Sequence, residues 1–505
     1  MAEPMTSALP LDKFNRRLLA NVHPDDWENP RARSRYHLVV VGGGTGGLVT
    51  AAIAASLGAK VALVERRLLG GDCLNFGCVP SNALLRAARA WHAAGRARAF
   101  GGPTVSGPGD FGAVMKRLRY VRAGLSSVDG APRFTAMGVD VFLGVARFVS
   151  PDALEVDRQR LRFRRAVIAT GAHAATPTIP GLDADAYFTN ETIFNLTSLP
   201  HRLVIVGAGP TGCELAQAFA RFGSHVTLLQ RGPRILPRDE PNAAAVVHRA
   251  LERDGVMIVT RVDGLRVQRV GEQSLLRYTA GGDPRWAIGD AVLVATGRVP
   301  NVEGLGLEAA RVHWTARGVS VDARLRTSNR RIYAVGDVAT STPFTHAADA
   351  QARLVVQNAL LFGRKSAARL VVPWCTYTSP ELAHVGHTEA SAREAGMAVD
   401  TVRVPLSSVD RAVLDGEDEG FLAVHLARGT DRIVGGTLVA EHAGDMISEL
   451  TVAMANGLGL AQVGAAIHPY PTQSDVFRKA ADLWRRRKLT PRTKRAFDLF
   501  FRLSG

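Results

Sequence analysis

The chain has 505 residues, of which 46% are hydrophobic and 50 are glycine, and its formal charge is +16. That length allows about three domains with substantial cores, and the composition excludes a largely disordered chain outside its ends. Four cysteines (73, 78, 213 and 375) are too few for a secreted disulfide scaffold of this size, and MAEPMTSALPLDKFNRR lacks the charged start and apolar core of a signal peptide. A reducing cytoplasm is therefore expected, where a close cysteine pair is catalytic or metal-binding rather than structural.

In chain order, an irregular arm over residues 1–35 contains Pro24 and Pro30. YHLVVVGGGTGGLVTAAIAASLGAKVALVER (36–66) then reads as strand, Gly turn, helix and strand, with Gly42, Gly44 and Gly47 as G-x-G-x-x-G and Glu65 closing the second strand. Leu38–Ala59 carries no charge and is long enough to span a bilayer, but the GGGTGG at its core weakens any such helix.

GGDCLNFGCVPSN (70–82) puts four residues between Cys73 and Cys78. Pro80 suits the first position of a helix over SNALLRAARAWHAAG, so the pair is expected at or just before a helix N-terminus, where the positive dipole end stabilises a thiolate. Zinc would require two further ligands. Cys213 lies within a later helix pattern and Cys375 far along the chain, and both read as buried small apolar residues. Redox chemistry is the reading that suits Cys73 and Cys78 best.

RQRLRFRR alternates Arg158, Arg160, Arg162 and Arg164 against Leu161 and Phe163, the period of a strand with one wet face. AVIATGA (166–172) is an apolar strand running into ATG. The βαβ pattern returns in HRLVIVGAGPTGCELAQAFARFGSHVTLLQR with Gly207, Gly209 and Gly212. One such match is weak evidence; two, each between a strand and a helix, predict two bound dinucleotides.

AVLVATGRVPN (291–301) repeats the ATG strand, and RIYAVGDVA (331–339) ends a buried strand at Gly336 and Asp337. From about Pro373, VPWCTYTSPELAHVGHTE, FLAVHLA and RIVGGTLVA read as antiparallel strands, with helices around 445–456 and 473–487. Residues 478–505 hold ten Lys or Arg against two Asp, and their Arg and Lys alternate with Trp484, Phe497, Phe500 and Phe501. An interfacial helix on a membrane surface has that pattern, as does a tail packed on its own dimer. Nucleic acid is not an expected partner.

The order of these motifs, with GGDCLNFGCVPS after the first fingerprint, resembles the FAD-dependent pyridine nucleotide-disulfide oxidoreductases over about residues 36–480, in particular mercuric reductase-like members. The resemblance implies an α/β fold with two Rossmann-like nucleotide-binding domains plus a C-terminal α+β dimerisation domain. The expected division is an arm (1–35), a first FAD-binding part (36–180), an NAD(P)H-binding domain (181–303), a second FAD-binding part (304–368), a dimerisation domain (369–480) and a basic tail (481–505).

FAD is implied on Gly42, Gly44 and Gly47, with Glu65 at its adenosine ribose beside Arg66. Gly71, Asp72, Asn82, Ala146, Thr170, Gly171 and Gly336 are implied along it, with Asp337 near its ribityl chain. NAD(P)H is implied on Gly207, Gly209 and Gly212, with Glu214, Gln230, Arg231 and Gly297. Hydride would pass from NAD(P)H to flavin and electrons on to a Cys73–Cys78 disulfide, Cys78 facing the flavin and Cys73 attacking substrate, in a homodimer.

Three departures from the family pattern matter. Gln230 stands where an acid would bond the 2′-hydroxyl of NADH and is followed by Arg231 and Arg234, which favours NADPH. In IHPYPTQSD (467–475) Tyr470 holds the place of the catalytic His and Asp475 that of its orienting Glu, while His468 lies two residues upstream.

Tyrosine is a poor base at neutral pH. This points away from a lipoamide- or glutathione-type reaction and toward mercuric-ion reductases, since soft Hg(II) bound by thiolates needs no proton relay. PWCTYTSPELAHVGHTE and DRAVLDGEDEGF suggest the same branch, although the chain ends in FFRLSG with no cysteine after Cys375.

Asn82 replaces a lysine that in the family pairs with a Glu matching Glu214, leaving an arginine or water to balance that carboxylate and predicting a lower flavin potential. The alternatives are a dihydrolipoamide dehydrogenase-type enzyme, a diaphorase passing electrons to quinone or oxygen, and a membrane-associated interaction protein with a structural flavin.

Overall fold

The computed structural model describes residues 8–105, 107, 109–183, 186–340 and 342–504. They form two compact units: one runs up to Arg231 and resumes over Gly255–Leu370, and the other combines Gly232–Asp254 with the chain from Val371 onward.

The first unit opens with a difference from the expected irregular arm, the helix α1 (Lys13–Val22). Asp12 caps it, its carboxylate accepting from the backbone N–H of Phe14 and Asn15 at 2.9 Å. Its buried face is Asn15, Leu18 and Val22. The prolines that suggested irregularity lie beyond its end.

Strand β1 (Tyr36–Val41), helix α2 (Thr45–Ser56) and strand β2 (Val61–Glu65) form the first βαβ unit. The cysteine segment gives α3 (Gly71–Asn75) and α4 (Cys78–Arg96), followed by α5 (Phe111–Leu125), α6 (Ala131–Ala136) and strands β3 (Val139–Leu143), β4 (Arg147–Ser150), β5 (Ala153–Val156) and β6 (Gln159–Ile168). In the largest sheet β3, β2, β1 and β6 run in that order, with β1–β2, β2–β3 and β1–β6 parallel. The first half of β6 pairs antiparallel with β5.

Arg160, Arg162 and Arg164 are exposed on β6 while Leu161 and Phe163 are buried, as the alternation predicted. Arg158 instead falls in the turn before the strand, at φ +62°. Strand β7 (Ala172–Ala174) follows.

The second βαβ unit is β8 (Arg202–Val206), α7 (Pro210–Phe222) and β9 (His225–Leu229). Helix α8 (Pro241–Arg253) belongs to the second unit. Back in the first unit, β10 (Met257–Val259) and a later strand, β14 (Ala291–Val294), extend the parallel sheet to the order β10–β9–β8–β14, and β11 (Val262–Val270), β12 (Gln273–Ala280) and β13 (Asp283–Gly289) form an antiparallel sheet. Strand β15 (Arg298–Pro300) follows β14, then β16 (Trp314–Thr315), β17 (Gly318–Val319), β18 (Ile332–Ala334), which pairs parallel with β6, and α9 (Thr345–Leu360).

The two fingerprint turns match closely. Gly42 and Gly207 sit at φ +105° and +107°, and a side chain on either would strike the carbonyl oxygen of Ala169 or Ala295, in the two ATG segments. A Cβ at Gly47 or Gly212 would strike the carbonyl oxygen of Gly42 or Gly207, which is how the third glycine lets helix pack on strand.

In the second unit β19 (Pro373–Thr376), β20 (Glu381–Gly386), β21 (Val399–Pro405), β22 (Phe421–Ala427) and β23 (Ile433–Ala440) form an antiparallel sheet ordered β19–β20–β23–β22–β21. Its buried inner side packs Val402, Leu422, Val424 and Leu438 against Leu450, Val476 and Phe477. Those last residues come from α13 (Ser448–Ala455) and α15 (Asp475–Arg487). Short helices α10 (Glu389–Glu394), α11 (Asp410–Asp415), α12 (Ala443–Met446) and α14 (Leu460–Val463) connect the rest, and α16 (Pro491–Ser504) ends the described chain. Among the described residues no helix is long and apolar enough to cross a membrane.

Candidate active site

Helix α4 begins at Cys78, two residues earlier than Pro80 suggested, because Ser81 N already donates to Gly77 O and the preceding N–H groups of a first turn need no partner within the helix. Pro80 is therefore tolerated as the third helical residue. Cys73 lies in α3, whose entry through Gly70 at φ +87° and Gly71 at +57° bends the chain sharply. A Cβ on Gly71 would lie 2.6 Å from Gly44 Cα, so the start of α3 rests on the turn that begins α2.

Both cysteines are free in the structure, Cys78 exposed and Cys73 half-buried. The Cys73 thiol is hydrogen-bonded to the Cys78 sulfur, which lowers Cys78 to about 6 and raises Cys73 well above the ordinary thiol range; burial also raises Cys73. Thr345, in the first turn of α9, places Oγ1 3.3 Å from Cys78 Sγ and lowers both thiols, whereas the neighbouring Asp72 raises both. The result is one thiolate and one protonated neighbour, the asymmetry a nucleophilic dithiol needs.

Asp72 accepts from Asn190 Nδ2 at 3.0 Å and pairs with Arg298 at 3.3 Å. Arg298 also lies 3.5 Å from Asp337 and donates to Ala172 O at 2.7 Å. Burial raises both carboxyls, and Arg298 opposes the rise. The ATG segment is locked to the chain after β15: Thr170 Oγ1 donates to Asn301 O and Asn301 Nδ2 to Thr170 O, both at 2.7 Å, and Asn301 N donates to Gly171 O.

Gly336 N donates to Gln351 Oε1 at 2.8 Å, and Ala175 N donates to the carbonyl of Gly297. Ala146 is buried and Arg66 is exposed. Asn82 is exposed on α4, its amide donating to Cys78 O at 3.0 Å, and Glu214 is buried on α7, which packs on α4.

The acid at the end of the first βαβ unit meets its turn directly, Gly43 N donating to Glu65 Oε2 at 2.6 Å. The second unit repeats the contact with an amide, Ala208 N donating to Gln230 Oε1 at 3.2 Å. Neither α2 nor α7 has a side-chain cap at its N-terminus, where Gly44 and Gly209 stand. Open first-turn N–H groups at both helices fit one pyrophosphate at each. Arg231 is exposed, while Arg234 in the second unit turns back to donate to Leu236 O and Pro237 O at 2.7 and 2.8 Å.

In the second unit Tyr470 and Asp475 are not joined by a hydrogen bond. Exposed Tyr470 donates to Asp410 Oδ2 at 2.9 Å, which raises its phenol, and Asp475 is held by Arg478 at 2.7 Å and Lys479 at 3.7 Å. His468 meets a carboxylate that the sequence did not reveal: its Nε2 is 2.7 Å from Glu449 Oε1 and its Nδ1 3.0 Å from Ala466 O. Cys213 is buried, as expected, but Cys375 is only half-buried on edge strand β19, its thiol 3.6 Å from Thr376 O. No cluster that could hold a metal occurs among the described residues.

Residues 36–352 match the pyridine nucleotide-disulphide oxidoreductase family and residues 372–481 its dimerisation domain. The chain belongs to this family of flavoprotein disulfide oxidoreductases, and it carries the dimerisation domain that suggests a homodimer. Family members use FAD and NAD(P)H.

The chain is 36% identical to the mercuric reductase of Streptomyces lividans over 89% of its own length and 96% of that protein, and 35% identical to the dihydrolipoyl dehydrogenase of Thermus scotoductus over 88% and 97%. Among solved structures it resembles LpdA of Mycobacterium tuberculosis at TM-score 0.81 with 26% identity, covering 90% of this chain and 99% of that one. It also resembles RclA of Escherichia coli, an HOCl-induced flavoprotein disulfide reductase, at TM-score 0.79 with 28% identity, covering 89% and 100%.

Proposed function

We propose that this protein is an NAD(P)H-dependent FAD enzyme that delivers electrons through Cys73 and Cys78 to a thiol-reactive or soft-metal substrate. The observation that carries the reading is the asymmetric thiol pair: Cys78 is held low by the Cys73 thiol and by Thr345, beside a turn built for a pyrophosphate. Bound FAD supplies the two-electron couple between a nicotinamide and a disulfide.

The residues divide the remaining work. Gly42, Gly44 and Gly47 admit the FAD pyrophosphate to α2, and Gly207, Gly209 and Gly212 admit that of the nicotinamide cofactor to α7. Two electrons entering a Cys73–Cys78 disulfide break its S–S bond, leaving Cys78 as thiolate; one proton ends on Cys73, where burial and the Cys78 thiolate hold it. Cys73 then attacks substrate when that proton leaves.

Gln230 in place of an acid, with Arg231 exposed after it, supports NADPH over NADH. The basis is narrower than the sequence suggested, since Arg234 is turned to its own loop. Tyr470, bonded to Asp410, supports a substrate needing no general base, and mercuric reductases among the relatives agree with a soft metal. The reducing setting such a thiol pair requires supports a cytoplasmic enzyme.

Anaerobic titration of the purified protein with NADPH and NADH, followed by visible absorption, tests the reading. A long-wavelength band at two-electron reduction, absent in Cys78→Ser, is expected; protein that carries no flavin overturns it. Cys73→Ser separates this reading from a diaphorase, abolishing Hg(II) reduction in the first case and sparing quinone reduction in the second.

A second reading concerns the tail. Phe497, Leu499, Phe500, Phe501 and Leu503 are all exposed on α16, between the arginines of α15 and Arg502. That face supports peripheral contact with an anionic membrane.

A further inference from the structure

The arm before residue 36 lies outside the span that matches the family, yet its hydrogen bonds lead to the cysteine segment. Arg122 on α5 is 1% exposed and ties two elements together. Its Nη2 donates to Asn15 Oδ1 on α1 and its Nη1 to the carbonyl of Asn75, the last residue of α3, each at 2.8 Å. Asn75, itself fully buried, donates through Nδ2 to Leu69 O at 3.0 Å and to Gly71 O at 2.8 Å, closing the Gly70–Gly71 turn from which α3 springs.

The arm adds two backbone ties to the same turn. Leu69 N donates to Val22 O at 3.1 Å, and His23 Nδ1 bonds the carbonyl of Arg67. Arg119, one turn before Arg122, holds the cap of α1 through Asp12 at 2.7 Å. The start and the end of α3 are thus held by groups of the arm and of α5. A cation on the last carbonyl of so short a helix also opposes the partial negative charge there.

We propose that the N-terminal arm is a positioning element for the thiol pair: the Asn15–Arg122–Asn75 relay fixes α3 and so sets where Cys73 stands relative to Cys78. A loosened relay lets the Cys73 thiol draw away from Cys78, and the Cys78 thiolate loses its donor. Asn15, Arg122 and Asn75 are positioning residues; none touches substrate. The inference rests on the reading of Cys78 as the low thiol.

The test is the pH profile of Cys78 alkylation in the reduced, full-length, flavin-loaded protein, followed by mass spectrometry beside a thermal melt. Asn15→Ala, which keeps Arg122 in place, is expected to raise the Cys78 midpoint by about half a unit to one unit, roughly a three- to tenfold shift in the thiolate equilibrium. Arg122→Met is expected to shift it further, and Arg122→Lys, which reaches one acceptor, less. Asn29→Ala loosens the arm where it grips Leu143 and should lower the melting temperature without moving the midpoint.

If Arg122→Met does not fold, Asn15→Ala and Arg122→Lys decide. A folded Asn15→Ala protein with the wild-type midpoint overturns the inference, as does an equal shift in Asn29→Ala. A wild-type protein in which Cys78 shows no low midpoint instead overturns the underlying reading of the thiols.

Discussion

Replacing Thr345 by valine removes the hydroxyl 3.3 Å from Cys78 Sγ while keeping the shape of the side chain. A hydrogen bond to a charged acceptor contributes about 1.5–3 kcal/mol. Cys78 is exposed, so water replaces part of it, and a loss of about 1.4 kcal/mol, one pKa unit, is the reasoned figure. Cys78 should then move from about 6 to roughly 7. The sign follows from charge: the hydroxyl donates to the thiolate and not to the thiol, so its removal favours the proton.

The assay is the rate of reaction with a small disulfide reagent across pH 4.5–9. Because a thiolate of higher pKa is intrinsically more reactive, with a Brønsted slope of about 0.4–0.5, the variant should be only about twofold slower at pH 6 and about threefold faster at pH 9. The midpoint, not the rate at one pH, is the quantity to read. Thr345→Ser keeps the hydroxyl and should keep the wild-type midpoint. A valine variant whose midpoint stays at or below the wild-type value refutes the role given to Thr345.

Arg231→Ala should raise KM for NADPH about tenfold, the worth of one charge-assisted contact near 1.4 kcal/mol, and leave KM for NADH unchanged; Gln230→Glu should shift preference toward NADH. Equal effects of Arg231→Ala on both nucleotides would show that this arginine only faces water. Asn82→Lys should raise the flavin potential by a few tens of millivolts, as one added nearby cation worth about 1 kcal/mol requires, and a potential unchanged in spectroelectrochemical titration refutes the electrostatic reading of Asn82. Flotation with vesicles rich in anionic lipid should recover the full chain but not one lacking residues 489–505, whereas equal recovery excludes the tail as the contact.

The two glycine fingerprint turns were the most legible part of the sequence because their requirements are local. Gly42 and Gly207 need a left-handed backbone, and Gly47 and Gly212 need space beside a carbonyl, so the letters themselves state the geometry. The five-stranded antiparallel sheet was legible in the same way, from runs such as FLAVHLA.

What the sequence hid depends on contacts between distant residues. Helix α1 has an Asp12 cap and apolar residues at Phe14, Leu18 and Val22, a signal available in the letters but masked by the prolines after it. Arg298 and Thr345 lie more than 200 residues from the cysteine segment they serve, and no local pattern links them to it. Tyr470 and Asp475 are legible only as positions in a pattern, and their partners are not: the start of α15 gives Asp475 its own cations at Arg478 and Lys479, and Tyr470 turns to Asp410.

The grouping of Asp72, Arg298 and Asp337 extends the argument from the thiols to the cofactor. One guanidinium is shared by two carboxyls that burial raises, and its charge opposes that rise at both. Arg298 Nε is buried and makes no hydrogen bond among the described residues, although Asp337 Oδ2 lies 3.5 Å away.

A buried donor left in that state is costly unless a ligand completes it. A group bearing both phosphates and hydroxyls would suit these residues, with Arg298 and the open first turn of α2 as donors and the two carboxyls as acceptors. Asp72 directly precedes Cys73, and its charge raises both thiols. A ligand group that shields the charge of Asp72 is therefore expected to lower Cys78, whereas one that only stabilises that charge is not.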